Sequence, residues 1–471
     1  MIFTSIDFIV FFIFILGVVA IVKHRKFQHL ILLGGSYYFF YFSSNYLIVL
    51  LIFSTILDFY LAKLIYSTDN IFRKKLFLII SLVGNLGLLG FFKYSDFAIL
   101  QFNILGNYFD VGANIPFINL ILPLGISFYT FQTISYTIDV YRKVTQPIHN
   151  FIDFALYVSF FPQLVAGPIE RSHRLLPQIV RPRKFAHVHF EEGLYYIVYG
   201  LFLKIVLADN MAVIANSVYS SPIDSLLSLD VLVGTYAFAF QIYGDFAGYS
   251  FIAIGIAKWL GINLMINFNS PYLAKTPSEF WQRWHISLSS WLKDYLYIPL
   301  GGNKGGHWYT IRNLIITMVL GGLWHGAGWT FLVWGLFHGI ILVIYRVIKW
   351  ILEETQPHQR KSRLLSLIQI GVMFHIILIS WVFFRAETLG YALEMLNRLI
   401  THFSYSDQTI GMMWLLVFYV TPIFIYEIWN QKQKFNTFEE RSTGSLAVFF
   451  NYCFFMILVF PAPSHQEFIY F

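Results

Sequence analysis

The sequence predicts an all-α polytopic membrane protein, and its composition and hydropathy pattern both indicate this fold class. Of 471 residues, 57% are hydrophobic and 12% are charged, and that charged fraction is about half the value usual for soluble domains. Apolar stretches recur along the chain with no soluble domain between them, so we expect a single membrane domain over residues 1–471. At roughly 20 residues per crossing, this length accommodates about 11–12 transmembrane helices.

The candidate spans follow from the apolar stretches in chain order. The first contains Asp7 and lacks both a basic start and a small-residue cleavage site, so we predict a retained helix rather than a signal peptide. The second ends at Ser43-Ser44-Asn45, which predicts a tight hairpin. The stretches lie near residues 1–22, 29–43, 45–66, 76–94, 115–138, 191–215, 231–257, 309–323, 329–349, 364–384, 410–428 and 444–461.

Lysine and arginine residues predict the orientation of the chain. The formal charge of +7 comes from short loops between apolar stretches, so it indicates topology in a lipid membrane rather than nucleic-acid binding. The basic loops all fall on the cytoplasmic side if the chain starts outside and if 151–168 and 275–298 are re-entrant segments that do not cross. Both termini, including the tail 462–471, are then extracytoplasmic.

Residues 275–298 predict a continuous amphipathic helix. Thr276 is a candidate N-cap, Pro277 takes the first helical position, and Glu279 follows three residues after the cap, which is the pattern of a capping box. On such a helix, His285 falls at the border between an aromatic face and a polar face. This segment alone favours an ordinary interfacial side chain over an active-site residue.

A second histidine, His325, lies near the turn of a predicted helical hairpin over 309–349. The glycines around it permit close approach of either a neighbouring helix or a thin substrate. Because an ionisable side chain inside a bilayer is costly, a functional role is the default hypothesis for His325, and a packed, hydrogen-bonded imidazole is the alternative. For His338, beside Gly335 and Gly339 on the second helix, packing is the favoured role.

The chain lacks the common signatures of soluble enzymes. It has no Ser-His-Asp signature, phosphate-binding loop or zinc-spaced histidine pair. Its one cysteine, Cys453, excludes an intrachain disulfide, and we predict an inert thiol there. A lone histidine can act as a general base toward a hydroxyl group, and acyl transfer from a thioester needs little more than that base, alignment and oxyanion stabilisation. Composition alone leaves open a channel or a transporter with a histidine proton relay.

Five segments resemble the membrane-bound O-acyltransferase family, specifically its bacterial branch typified by the membrane subunit of alginate O-acetyltransferase. The resemblance implies a ring of helices around a thin core, with a funnel from each side. It also implies that His325 is the catalytic histidine and that His285 is the second active-site residue. The segments are FFPQLVAGPIERSHRLLPQ at 160–178, GLFLKIVLAD at 200–209, QIYGDFAGYSFIAIGIA at 241–257, FNSPYLAKTPSEFWQRWHISLSSWLKDYLYIPLGGNKGG at 268–306 and GGLWHGAGWTFLVWGLFHG at 321–339.

The resemblance further implies an activity in the bacterial cytoplasmic (inner) membrane. An acetyl thioester, acetyl-CoA in the simplest case, enters from the cytoplasm as a substrate, and we expect no bound cofactor or metal. His325 deprotonates the accepting hydroxyl, and His285 orients that hydroxyl or polarises the thioester carbonyl. The acetyl group serves O-acetylation of a cell-surface or exported, alginate-like polysaccharide, with an extracytoplasmic SGNH-like polysaccharide acetyltransferase as partner.

The same family offers an alternative activity, which is D-alanyl transfer to teichoic acid. The DYLYIPLGGN extension at 294–303 favours acetyl transfer, because the D-alanyl relatives usually lack it. Ala247 and Phe251 depart from the pattern of the family, which has a serine at the first position and a polar residue at the second. The substrate preference of this chain can therefore differ from that of its relatives.

Further candidate residues lie at the C-terminus and on the cytoplasmic side. The last six residues, QEFIYF, resemble the aromatic C-terminal motif of this branch, which makes Tyr470 a candidate for carrying the acyl group transiently. The alternative for Tyr470 is an aromatic interfacial anchor. Arg283, Lys293 and Lys304 are candidates for contact with the phosphates of the donor, although basic residues at a membrane surface are usually topological.

Overall fold

The architecture is seen in a computed structural model that describes residues 1–112, 114–165, 167–182, 187–355, 362–401, 403–432 and 443–462. Within these ranges the chain is helical and has no β-strand, so the predicted all-α polytopic class is confirmed. Six segments are long and apolar enough to cross a membrane, and they are accompanied by two shorter apolar helices, Ile6–Ile21 and Ala447–Val459. The six are Arg25–Ser67, Ile71–Tyr108, His189–Tyr219, Trp329–Ile351, Arg363–Arg385 and Asp407–Gln431.

The helices divide between two compact units. The first unit comprises Met1–Leu194 together with Ala253–Met265. Its helices are α1 (Ile6–Ile21), α2 (Arg25–Ser44), α3 (Ile48–Ser67), α4 (Ile71–Tyr108), α5 (Ile126–Tyr141), α6 (Phe151–Ser159), α7 (Phe161–Leu164) and α8 (Ser172–Val180). Two further helices, α9 (His187–Leu201) and α11 (Ser228–Trp259), contribute residues to both units.

The second unit comprises Tyr195–Ile252 together with Ile266–Phe471. Two of its segments, Phe202–Ala208 and Lys293–Tyr297, are π-helical. Its α-helices are α10 (Asp209–Tyr219), α12 (Pro277–Arg283), α13 (Ile286–Leu292), α14 (His307–His325), α15 (Trp329–Thr355), α16 (Arg363–Arg385), α17 (Leu389–Thr401), α18 (Asp407–Lys432) and α19 (Thr443–Val459).

The predicted apolar stretch 115–138 is helical only from Ile126 onward. Pro123 precedes the helix and has no backbone N–H to donate, and Gly125 has a positive φ of 72°. A Cβ atom added at Gly125 would lie 2.3 Å from the Leu164 carbonyl oxygen. The start of α5 is thus fixed by a turn that only glycine fits.

The first predicted re-entrant segment, 151–168, forms two short helices. α6 has nine residues and α7 has four, and each is too short to cross a bilayer, which takes roughly 20 helical residues. Both helices are buried within the first unit apart from Phe151 and Ile152 at the start of α6. Their length is compatible with a segment that enters the unit without spanning the membrane.

A polar cluster joins α3, α4 and α5 inside the first unit. The buried Asp58 carboxylate accepts hydrogen bonds from the Ser81 hydroxyl (2.5 Å) and the Asn85 side-chain amide (2.8 Å). The Asn85 carbonyl oxygen accepts in turn from the hydroxyls of Ser54 (2.7 Å) and Thr133 (3.4 Å). Because the bilayer core offers no water, polar side chains there must find partners within the protein, and this network ties three helices together.

Replacing Asp58 with alanine is expected to destabilise the protein. The substitution leaves the donors of Ser81 and Asn85 buried without their acceptor, which costs about 2–3 kcal/mol in the free energy of unfolding. The melting temperature of the detergent-solubilised protein measures the effect. Asp69→Ala is the control because Asp69 is exposed, and an equal melting temperature for both variants would contradict a structural role for the cluster.

Candidate active site

Glycines bring the two helices of the 309–349 hairpin, α14 and α15, into backbone contact. A Cβ atom added at Gly322 would lie 2.3 Å from the Phe331 carbonyl oxygen, and one added at Gly335 would lie 2.4 Å from the Met318 carbonyl oxygen. Any larger residue at either position would force the helices apart. These two glycines therefore serve helix packing rather than leaving space for a substrate.

His325 is the last residue of α14, where the chain turns toward α15. Its partly buried ring lies roughly perpendicular to three aromatic rings. The ring centroids are 4.9 Å from Trp324, 5.1 Å from Trp334 and 5.3 Å from Phe384. Such edge-to-face contacts restrict the rotation of the imidazole, so the hairpin presents His325 in a defined orientation.

The prediction of one continuous helix over 275–298 is wrong, because the chain breaks between α12 and α13. The capping box is present as predicted, with the Thr276 hydroxyl accepting from the Glu279 N–H (3.1 Å). At the break, His285 adopts φ 42° and ψ 55°, a left-handed conformation that non-glycine residues rarely take. His285 is also fully buried, so it is not the interfacial side chain that a continuous helix predicts.

Asn267 holds His285 in place. Its side-chain oxygen accepts hydrogen bonds from the Ser287 N–H (3.1 Å) and the Ser287 hydroxyl (2.9 Å), and it lies 3.2 Å from His285 Nδ1. The Asn267 backbone carbonyl accepts from the Ile286 N–H (2.9 Å). Because the Asn267 oxygen can only accept, Nδ1 carries the proton, and the lone pair of the neutral ring is then on Nε2.

The two histidines lie against one indole ring. The centroid of Trp324 is 4.9 Å from His325 and 5.9 Å from His285. Phe246 packs edge-on against His285, with a centroid distance of 4.6 Å and an interplanar angle of 88°. Burial lowers the pKa of His285 to about 3, so its ring is neutral near pH 7. The structure thus assembles both predicted histidines, which lie 40 residues apart in the sequence, into one aromatic site.

A cavity of about 530 Å³ lies in the second unit beside this site. Ile286, which follows His285, lines it together with Arg283, Tyr243 and Glu427. The Tyr243 hydroxyl donates a hydrogen bond to the buried Glu427 carboxylate. Further tyrosines and amides contribute to the wall, so the cavity offers several hydrogen-bonding groups among aromatic rings.

The three basic candidates differ in their surroundings. Arg283 lines the cavity, donates two hydrogen bonds to Glu279 (3.0 and 2.8 Å) and donates one to the Asn269 carbonyl (3.1 Å). Lys293 and Lys304 are exposed and do not line that cavity. The structure therefore brings only Arg283 beside the cavity next to His285.

The remaining predictions concern His338, Cys453 and Tyr470. The His338 ring is buried beside Trp281 and Trp334, and its Nε2 is 3.1 Å from the Ser380 hydroxyl, which agrees with a packing role. Cys453 is a buried free thiol. Tyr470 lies outside the described residues, as does the tail after residue 462. Among the residues that the structure describes, no group of three or more His, Cys, Asp or Glu side chains is suited to a metal ion.

Sequence reasoning missed two residues of the site, Asn267 and Glu427. Asn267 acts on His285 across 18 positions of sequence, and no local pattern reveals that contact. Glu427 did carry a signal, because it lies inside the apolar span Asp407–Gln431, where a carboxylate is costly unless it has a function or a partner. The departure noted at Phe251 is also part of the site, since Phe251 lines the cavity and stacks on Tyr196 with a centroid distance of 5.8 Å.

Comparison with known proteins places these residues in a family. The profile of the membrane-bound O-acyltransferase family matches residues 142–386, a segment that contains both histidines. A peptidoglycan O-acetyltransferase of Helicobacter pylori is 39% identical over 375 residues, which is 74% of this chain and 69% of that protein. A probable alginate O-acetylase, AlgI, of Azotobacter vinelandii is 41% identical over 336 residues, covering 71% of this chain and 64% of the relative.

A teichoic acid D-alanyltransferase of Streptococcus thermophilus is more distant. It is 33% identical over 237 residues, which is 47% of this chain and 56% of that protein. The match to the family profile and the two similar O-acetylating relatives confirm the resemblance seen in the sequence and the predicted class of enzyme. The chain belongs to the membrane-bound O-acyltransferase family.

Proposed function

We propose that this chain moves an acetyl group from a cytoplasmic thioester, acetyl-CoA, across the bacterial cytoplasmic membrane. The acetyl group serves O-acetylation of a cell-surface or exported polysaccharide of the alginate-like kind. The observation that carries this proposal is the meeting of His325 and His285 at Trp324. Among the relatives of this chain, one is named a peptidoglycan O-acetyltransferase and another a probable alginate O-acetylase.

In the proposed reaction, His325 is the general base. Its imidazole takes the proton of the accepting hydroxyl, and the hydroxyl oxygen then attacks the thioester carbonyl carbon. The new C–O bond replaces the C–S bond, and the CoA thiolate leaves and takes up the proton that His325 had accepted, which regenerates the neutral imidazole. No bound cofactor is needed, because the thioester is already activated and the site supplies the base and the alignment.

The hydrogen bonds of His285 support the first of its two predicted roles. With the proton on Nδ1, directed to Asn267, the Nε2 atom can accept a hydrogen bond from a hydroxyl but cannot donate one to a thioester carbonyl. We therefore assign His285 to orienting the accepting hydroxyl. A third group, such as a backbone N–H, is then required to stabilise the oxyanion.

The cavity beside His285 is the proposed entrance for the donor. Its volume of about 530 Å³ and its polar lining suit a short acyl group on a chain that contains amides. Arg283 at its wall is the candidate for contact with the phosphates. Lys293 and Lys304 are weaker candidates, because they do not line the cavity.

The proposal includes a route on the outer side of the membrane. With both termini extracytoplasmic, Tyr470 would accept the acetyl group as a phenol ester and pass it to an SGNH-like polysaccharide acetyltransferase. D-alanyl transfer to teichoic acid is the weaker candidate, because the relative named for it matches less than half of this chain.

His325→Ala is expected to lower acetyl transfer by at least about 100-fold, the usual contribution of a general base. The measurement is the O-acetyl content of surface polysaccharide in a strain that lacks the gene and is complemented by each variant, with membrane insertion checked. His375→Ala is the control, because His375 is an exposed histidine in the span Arg363–Arg385. Full acetylation with His325→Ala would overturn the assignment.

The pH dependence separates the two histidines. Since burial lowers the pKa of His285 from 6.5 to about 3, its ring does not titrate between about pH 5 and pH 8. We expect His285→Asn to lower the rate of CoA release from acetyl-CoA in inside-out vesicles while keeping the shape of the pH profile over that range. Disappearance of an acid limb in this variant would show that His285 titrates there.

The same lowered pKa predicts a stability effect. Below about pH 6.5 the unfolded chain binds a proton at His285, whereas the folded protein does so only near pH 3. The free energy of unfolding is therefore unaffected by His285 above pH 6.5, and it decreases as the pH falls from 6.5 toward 3.

Tyr470→Phe tests the proposed relay. The variant keeps an aromatic anchor but removes the nucleophilic hydroxyl, so polysaccharide acetylation should fall to the level of the gene deletion. Phe468→Tyr is a matched control that leaves Tyr470 intact. Full acetylation with Tyr470→Phe would reject the relay and leave the acetyltransferase proposal standing.

A further inference from the structure

A buried group of three charged side chains lies in the second unit, near the candidate active site. Lys204 Nζ is 2.8 Å from Asp209 Oδ1 and 2.7 Å from Asp245 Oδ1. The side chains of Lys204, Asp209 and Asp245 are 9%, 1% and 2% exposed, so the three groups are withdrawn from solvent. We call these residues the ion cluster.

The π-helical backbone of Phe202–Ala208 explains why the side chains of Lys204 and Asp209 meet. In an α-helix, two residues five positions apart point about 140° away from each other. A π-helical turn contains more residues than an α-helical turn, so residues five positions apart come closer to the same direction. Here the Asp209 N–H donates a hydrogen bond to the Lys204 carbonyl, which is the i to i+5 pattern of a π-helix. Lys204 and Asp209 therefore share one face, where their side chains meet.

Glycines bring α11 against this segment at the level of the ion cluster. A Cβ atom added at Gly244 would lie 2.8 Å from the Leu203 carbonyl oxygen, and one added at Gly248 would lie 2.7 Å from the Gly200 carbonyl oxygen. Two glycines four residues apart allow the backbones of neighbouring helices to touch. Asp245 lies between them, and it is thereby held within reach of Lys204.

The residue after Asp245 faces the candidate active site. Phe246 packs edge-on against the His285 ring at 4.6 Å and against the Phe268 ring at 5.0 Å. Adjacent residues of an α-helix differ in direction by about 100°. The rotation of α11 that directs Asp245 to Lys204 is therefore the same rotation that directs Phe246 to His285.

We propose that Lys204, Asp209 and Asp245 are positioning residues, which fix the rotation of α11 so that Phe246 holds the His285 ring in its reactive orientation. This inference rests on the proposed acetyl transfer. A buried ion group is a poor source of net stability, because apolar residues of similar size often hold helices together equally well. Charged side chains do, however, define one register where apolar surfaces permit several, which suits a role in orientation.

The test uses kinetics in inside-out vesicles with acetyl-CoA as the donor, and the readout is CoA release per membrane-inserted protein. Asp245→Asn keeps the shape of the side chain but removes its charge. We expect kcat to fall by about tenfold or more with little change in the KM for acetyl-CoA, because misplaced reacting groups slow the chemical step. A purely structural role would instead lower the amount of inserted protein and leave kcat unchanged.

Phe246→Leu tests the link to His285 and leaves the ion cluster intact. We expect a similar loss of kcat. Since both substitutions act through one contact, the kcat of the double variant Asp245→Asn, Phe246→Leu should stay within about twofold of that of each single variant. An unchanged kcat with Phe246→Leu, or effects that multiply in the double variant, would overturn the proposal, even if Asp245→Asn fails to insert.

Lys258→Met is the matched control on the same helix. It removes a different ion pair, with Glu192 at 2.7 Å, and its kcat should stay within about twofold of the wild type. Absence of CoA release by the wild type would reject the proposed function itself. Normal release by both the wild type and Asp245→Asn would reject only the positioning role.

Discussion

The candidate active site depends on one side-chain oxygen, that of Asn267. It accepts from the backbone and hydroxyl of Ser287 and contacts His285 Nδ1. These bonds compensate for the left-handed backbone at His285, where the helical hydrogen-bond pattern is interrupted. They also determine which nitrogen of the imidazole carries the proton. The placement and the chemistry of His285 thus have a common origin.

Polar groups inside a membrane protein must form hydrogen bonds or ion pairs with other parts of the protein. This requirement shapes both units. In the first unit, Asp58 is bonded to neutral donors from another helix. In the second unit, the Glu427 carboxylate accepts from Tyr243, and the ion cluster pairs charges of opposite sign. Hydrogen bonding between helices, rather than apolar burial alone, specifies how these segments pack.

The features that the sequence predicted well have local causes. The capping box at Thr276 and the spans with long apolar runs depend on residues only a few positions apart. The break before α13 could not be predicted, because it depends on Asn267, which is distant in sequence, and the capping pattern in front of it is that of an ordinary helix. His285 was recognised only through resemblance for the same reason. The late start of α5 had a visible cause in Pro123 and Gly125, which the hydropathy of the stretch obscured.

The π-helical segment Phe202–Ala208 has a consequence for how the chain tolerates changes of length. A π-helical turn holds one residue more than the α-helical turn that it replaces. Deleting one residue between Lys204 and Asp209 would shorten this turn to a regular α-helical one and would place the pair four positions apart, where side chains on an α-helix are neighbours. Deleting a residue from the regular helix α10 would instead rotate everything after it by about 100° relative to what precedes it. The π-helical segment is therefore the part of this span where the loss of one residue disturbs the flanking helices least. Deletions recorded among natural relatives should accordingly fall within these seven residues more often than within α10.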